Sequence, residues 1–527
     1  MSDETFDYIV IGSGSAGGVV ATRLSEDPDV SVLLLEAGPA DDDEMIHVPL
    51  GFSTLFKTKW DWNYETTPQK HLAGRRAYWP RMKALGGCSS MNAMIYIRGN
   101  HADYDEWRDV YGATGWGFDD VLPYFTKSEG NTRLADRFHG TDGPLNVEDR
   151  TYVHPLSAAF LESGVAAGLK RTDDFNGAEQ EGIGAYQLTT KKGRRWSVAD
   201  AFIRPALDRP NLTVRTEAFV TKILLDGNRA TGVAYRRHGQ SLVARAEAEV
   251  VLSGGAINSP QLLMLSGIGP GAHLRDMGID VAVESSGVGQ NLQDHPVSGI
   301  ISHTKGTTDV AEMLGIGNLL RWRATGKGPL SSNVADTGAF FASRDDLPLP
   351  DIQLHVAPTG FVDNGMHEPV RRAQTTAVTL VNVQSKGHLK LRSADPTWAP
   401  EIEPGYFDDR ADLEAMIAGF RRAYDILRTG PVAAYIDGPW IPATSDPTDD
   451  QIIEAIGAYG QTLYHPVATC AMGTVEGSVV DPELKVHGVE GLRVADASVM
   501  PRVPRGNTNA PTIMIGEKCA DLIKESA

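Results

Sequence analysis

Residues 6–38 read FDYIVIGSGSAGGVVATRLSEDPDVSVLLLEAG, and the reading of this stretch decides the fold. The apolar run at 6–11 has the length of a short buried strand. GSGSAG follows at once, and VVATRLSE continues with helical character. VSVLLLEAG supplies a second apolar run and closes a strand–helix–strand unit of about 30 residues. Gly12, Gly14 and Gly17 stand as G-x-G-x-x-G where the first strand meets the helix. The first glycine permits a tight turn, the second lets backbone approach a pyrophosphate, and the third lets helix and strand pack closely. Ser15 and Ala16 lie inside this turn, where the positive end of the helix faces phosphate charge. Glu36 ends the second run, followed by Ala37, and places a carboxylate where an adenosine ribose would be hydrogen-bonded. The pattern predicts a dinucleotide site and does not separate a nicotinamide from a flavin dinucleotide.

Around that unit, a chain of 527 residues is too long for one ordinary core. Its hydrophobic share of 41% and charged share of 22% are those of a globular protein with enough interior to bury a large cofactor. A formal charge of −19 argues against nucleic acid as partner and disfavours strongly anionic substrates. Cys88, Cys470 and Cys519 are odd in number and far apart, so neither a disulfide framework nor a metal site is expected. They fit a reduced compartment, and an apolar strand so near residue 1 leaves no room for a secretory leader; a cytoplasmic location is the expectation. No run approaches the roughly 20 apolar residues of a transmembrane segment, and none is expected.

Further along, residues 51–110 read as an irregular excursion rich in Trp, Tyr and Gly, laid over a cofactor. EVVLSGGA at 249–256 is a second apolar strand running into a helix-like SPQLLMLSG. From about 297 to 455 the texture changes to alternating patterns such as DIQLHVAP and HLKLRSA, which predict strands with one solvated or cavity-lining face. Residues 408–428 and 447–459 read as helices, and after about 460 the glycine-rich texture returns.

Three further segments select the flavin. They are RMKALGGCSSMNAM at 81–94, GGAINSPQLLMLSGIGP at 254–270, and the C-terminal run YHPVATCAMG (464–473), LRVADASVMP (492–501) and NTNAPTIMIGEK (507–518). In this order, and nearly end to end, they resemble the glucose-methanol-choline (GMC) family of FAD oxidoreductases, with a texture nearest its bacterial choline oxidase and alcohol dehydrogenase branches. The resemblance implies a fold of mixed α/β and α+β character. A Rossmann-like FAD-binding domain would be split over 1–151, 190–296 and 456–527, and an antiparallel sheet with helices, over 152–189 and 297–455, would form an inserted substrate domain. It implies that Asp496, with Ala497, hydrogen-bonds the flavin chain near its ribityl and pyrophosphate groups; a plain loop cap is the other reading of that aspartate. By the same resemblance Asn92, Ala93 and Met94 line the flavin and Val220 holds the adenine through its backbone. Gly86, Gly87, Ser89, Asn507 and Thr508 join the cofactor contacts. Met91 stands where some members carry the histidine that bonds FAD covalently. A thioether does not form that bond under ordinary conditions, so FAD is expected to be non-covalent.

Oxidation of an alcohol needs the hydroxyl proton taken up as hydride leaves carbon, and an imidazole of near-neutral pKa suits that role. The developing alkoxide also needs a fixed donor. His465 in YHP matches the family's catalytic histidine, and Asn509 in NTNAP its hydrogen-bonding partner, although Asn509 also reads as a helix N-cap ahead of Pro511. In NLQDHPVSG, Val297 occupies the place where choline-specific relatives carry a glutamate for the trimethylammonium group. An uncharged primary alcohol, aliphatic or benzylic, oxidised to the aldehyde is therefore expected, with choline oxidation and a redox-silent hydroxynitrile lyase as alternatives. Alternation in DIQLHV places Gln353 and His355 on one face, so His355 is either a substrate contact or an exposed strand histidine. Phe52, Phe56 and Trp60 wall the cavity or pack the core. Dioxygen and quinone-type acceptors both stay open, as does a homodimer.

Overall fold

The computed structural model describes residues 4–366 and 372–526. In chain order its principal elements are β1 (Glu4–Ile11), α1 (Gly17–Leu24), β2 (Val32–Leu35), α2 (His101–Tyr111), β3 (Gly182–Ala185), β4 (Leu212–Arg215), β5 (Phe219–Asp226), β6 (Arg229–Arg237) and β7 (Gln240–Leu252). There follow α3 (Gly255–Leu265), β8 (Pro296–Thr304), β9 (Thr337–Phe341), β10 (Ile352–Ala357), β11 (Ala373–Leu380), α4 (Arg410–Arg428), β12 (Ile436–Ile441), α5 (Asp449–Tyr459), β13 (Gln461–Thr462), β14 (Leu492–Val494) and α6 (Asn509–Ser526).

Two seven-stranded sheets organise the chain. The first runs β4–β2–β1–β7–β6–β5, with β14 beside β7. Its β4, β2, β1, β7 and β14 are parallel, and the β5–β6–β7 meander is antiparallel. The inner strands are apolar throughout because helices cover the sheet: Ile9, Val10, Val32, Leu33, Leu34 and Val250 are fully buried. Gly12 takes φ +95°, and a Cβ there would lie 2.4 Å from the Ser253 carbonyl oxygen. A Cβ at Gly17 would lie 2.0 Å from the Gly12 carbonyl oxygen, so only glycine lets α1 start where it does.

The second sheet is antiparallel, in the order β12–β8–β11–β10–β9–β3, with β13 beside β8. All six residues of β10 are buried. One face packs beneath α4, where a Cβ on Gly419 would lie 3.0 Å from Ile352 and 2.8 Å from Val378. The other face, with His355, looks into the large cavity. The alternation in DIQLHV thus marks a helix-covered face and a cavity face. β13 belongs to this second sheet, although its residues lie in the segment read from sequence as dinucleotide-binding.

The excursion at 51–110 is less irregular than expected, because it ends in α2. Asn100 accepts from the Ala102 N–H, Asp103 accepts from the Asn100 N–H, and Gly112 stops the helix at φ +69°. α4 and α5 begin on the caps Asp409 and Thr448, close to the expected starts.

Candidate active site

A long cavity, about 2360 Å³ including the part open to solvent, runs from the glycine turn of the first sheet to the inner face of the second. Gly12, Gly14, Ser15, Ala16, Glu36, Ala37 and Val220 line one end. Gly87, Asn92, Ala93, Met94, Asp496, Ala497 and Thr508 also line it, as do Met91, Val297, His355, His465, Asn507 and Asn509. Residues distant in sequence thus share one space.

At the turn the walls are bare backbone. A Cβ on Gly87 would lie 2.6 Å from the Gly14 Cα, while one on Gly255, at φ +84°, would meet nothing within 4 Å. Such surfaces let an extended phosphate-bearing ligand approach main-chain N–H groups, so the residues fit a dinucleotide. Glu36 is buried and accepts from the Ser13 N–H (3.0 Å), the Ser13 hydroxyl (2.6 Å) and the Gly38 N–H (2.8 Å). Burial pushes its carboxyl above the usual range, and these donors oppose the shift.

Three expected contacts lie off the cavity wall. Gly17 is spent on helix packing, as described. Gly86 turns at φ +86°, and its N–H points 3.2 Å from the Ser13 hydroxyl. Ser89 donates to the Gly86 carbonyl (2.6 Å) and accepts from the Val198 N–H (3.0 Å), so it holds its loop together. Asp496 serves as a cap: it accepts from the Gly255 N–H (2.8 Å), the Ser259 hydroxyl (2.6 Å) and the Ser498 N–H (2.8 Å). It also lines the cavity, so the capping reading and the ligand reading share one carboxylate.

His465 sits at the sheet end of the cavity and is 8% exposed. Its N–H of the main chain donates to Asp294 (2.7 Å), whose other oxygen accepts from the Tyr406 hydroxyl. Tyr464, just before it, takes φ +70°, and its carbonyl accepts from Arg81 (2.7 Å). Burial, and then the neighbouring His295 and His355, push the His465 imidazole well below its ordinary pKa, so the ring is neutral near pH 7.

The carboxamide that reaches this imidazole is not the expected one. Asn507 Nδ2 lies 3.4 Å from His465 Nε2. Asn509 instead accepts from the Ser15 hydroxyl at 2.7 Å and ties the start of α6 to the glycine turn. The reason is local: α6 begins at Asn509, and the chain changes direction between the two asparagines. In the NTN motif both residue types look alike, and only the backbone separates them. Sequence reasoning also passed over His295, whose Nδ1 lies 3.0 Å from His465 Nδ1; its only signal is the His–Pro pair opening β8. Phe52 and Phe56 line the cavity, whereas Trp60 packs in the core.

Residues 6–297 match the N-terminal part, and residues 383–516 the C-terminal part, of the GMC oxidoreductase family. An alcohol dehydrogenase [acceptor] from Pseudomonas putida is 42% identical over 98% of this chain and 95% of its own. Human mitochondrial choline dehydrogenase is 42% identical over 99% of this chain and 90% of its own. Among solved structures, pyridoxine 4-oxidase from Mesorbium loti is 30% identical and superposes with a TM-score of 0.90 over 98% of each chain. On the motifs, the fold and these matches, the chain belongs to the GMC oxidoreductases, flavoprotein enzymes that act on CH–OH donors.

Proposed function

We propose that the protein oxidises an uncharged primary alcohol, aliphatic or benzylic, to the aldehyde, with FAD held in the cavity by non-covalent contacts. The observation that carries this reading is the neutral His465 imidazole beside the Asn507 carboxamide, at the far end of a cavity that begins at the glycine turn. FAD, when bound, supplies the hydride acceptor. His465 Nε2 takes the hydroxyl proton, and the Asn507 N–H donates to the same oxygen as it gains charge. Phe52, Phe56 and Phe361 line the cavity and help to exclude water from the reacting alcohol. Asn92 to Met94 and Asp496 would hold the cofactor on one side, with Ser15 and Asn509 together at its phosphate end.

Substrate charge follows from the lining. Among the described residues, the carboxylates on the cavity wall are Glu36 and Asp496, both assigned to the dinucleotide end. Val297, 4% exposed, faces the substrate half without a charge for a quaternary amine. This favours a neutral alcohol over choline, although choline dehydrogenases are among the relatives. Met91 lines the cavity where a covalent link would otherwise form.

A panel of primary alcohols and choline, added anaerobically, tests the reading. Bleaching of the flavin by the neutral alcohols and not by choline is the expected result; a flavin that stays oxidised with every alcohol refutes it. Parallel measurement of peroxide and of dye reduction assigns the acceptor. Acid precipitation should leave the yellow cofactor in the supernatant.

A further inference from the structure

The tautomer of His465 is dictated by a chain of hydrogen bonds that starts at a main-chain carbonyl. The Tyr186 hydroxyl lies 2.7 Å from the Leu354 carbonyl oxygen, which only accepts, so tyrosine donates there. Its oxygen is left to accept, and Gln353 Nε2 lies 3.3 Å away. The second hydrogen on that nitrogen points to Asn507 Oδ1 at 3.2 Å. With its oxygen so engaged, Asn507 presents its NH₂ group to His465 Nε2, 3.4 Å away. A donor facing Nε2 requires a lone pair on Nε2, so the proton of the neutral ring resides on Nδ1. His465 Nδ1 in turn faces His295 Nδ1 at 3.0 Å, and a proton on the first requires a lone pair on the second. His295 is fully buried, and with Nδ1 accepting, its proton falls on Nε2, which has no hydrogen-bond partner among the described residues.

We propose that Tyr186, Gln353 and His295 are positioning residues which hold His465 with Nδ1 protonated and Nε2 bare, the neutral tautomer that can take an alcohol proton at Nε2. This rests on the assignment of His465 as the base. Each member is buried: Tyr186 is 1% exposed, Gln353 and His295 0%. Water therefore does not readily substitute for a missing partner. Among the described residues, the charged and titratable groups that act on the dyad are His355, Arg81 and Asp294, the last bound by the His465 main chain and by Tyr406. None of them bonds the His465 ring, so its one asparagine contact and one histidine contact set its tautomer.

The test pairs a spectroscopic readout with kinetics on the flavin-loaded enzyme. Ring ¹⁵N spectra of histidine-labelled protein, with His465 assigned from His465→Ala, should show Nδ1 protonated and Nε2 bare in wild type. His295→Leu should convert His465 to a mixture of tautomers and slow flavin reduction at least tenfold, with KM changed less than threefold. His295→Asn, whose carboxamide oxygen accepts from Nδ1–H, should recover most of both signals. Gln353→Leu should shift the tautomer in the same direction. A wild-type His465 protonated on Nε2 overturns the proposal, and so does an unchanged tautomer in both leucine variants. If His295→Leu does not retain flavin, the wild-type spectrum and Gln353→Leu decide. Should the tautomer be as stated while no alcohol reduces the flavin, the assigned reaction fails and the tautomer chain stands.

Discussion

In the proposed reaction, a single imidazole and two similar asparagines separate chemistry from binding at this site. His465→Ala should lower the rate of flavin reduction by about 10³-fold or more while the protein still carries FAD, as read by stopped-flow absorbance. Asn507→Ala removes one donor to the developing alkoxide and should cost about 10²-fold in the same measurement. Asn509→Ala breaks only the bond to Ser15, so it should weaken FAD retention after desalting and leave the reduction rate of loaded enzyme within a few-fold. Reversal of the two asparagine phenotypes would return the donor role to Asn509. Burial holds the His465 pKa well below 6.5, and in the proposed reaction the neutral ring is the base. The reduction rate should therefore stay level as pH falls from 8 to 6.5 and decline only below that; an acid limb centred at or above pH 6.5 contradicts the assignment.

Elements meet at this site through backbone, and a methyl group is enough to part them. At Gly516 in α6 an added Cβ would lie 2.7 Å from the Ala16 carbonyl oxygen, at the turn where α1 begins. Neither helix has a flexible side chain there to move aside. Gly516→Ala should lower the unfolding free energy by about 1–3 kcal/mol and reduce bound FAD, followed by thermal unfolding and by flavin absorbance. The elements themselves were largely readable. The strands of the 6–38 unit show as unbroken apolar runs covered on both faces, α4 and α5 as an apolar stripe, and β10 as an alternation between a helix-covered and a cavity face. α2 was missed within the aromatic-rich excursion, although its capping residues Asn100 and Asp103 were in plain view. Its apolar stripe is narrow, with Tyr104 and Trp107 buried beside the buried acid Asp103, so its period is faint.

Across the whole molecule, polar networks tie loops to the cofactor half. His139 Nδ1 lies 3.2 Å from Glu129 and its Nε2 3.0 Å from Asp174, and Arg98 binds Glu129 at 2.7 Å. Bonds from the Asp174 and Glu129 carboxylates outweigh burial and raise the His139 pKa from 6.5 to about 9. The raised folded value means the stabilisation is complete below pH 6.5 and is lost as pH rises through 9. Thermal unfolding should fall over that window by an amount worth at most ~3 kcal/mol, and His139→Asn should flatten it; an equal slope in the variant refutes the link. At this scale the division between sequence and structure is clear. The order of the main elements, the glycine turn, the family and the candidacy of His465 were legible in the linear chain, because each depends on neighbours a few residues apart or on motifs that survive without context. Which asparagine lies against His465, that His295 stands behind it, and that Gly17, Gly86 and Ser89 lie off the cavity were decided by tertiary structure. Those choices depend on contacts between residues tens to hundreds of positions apart, and no local pattern records the direction in which a side chain finally points.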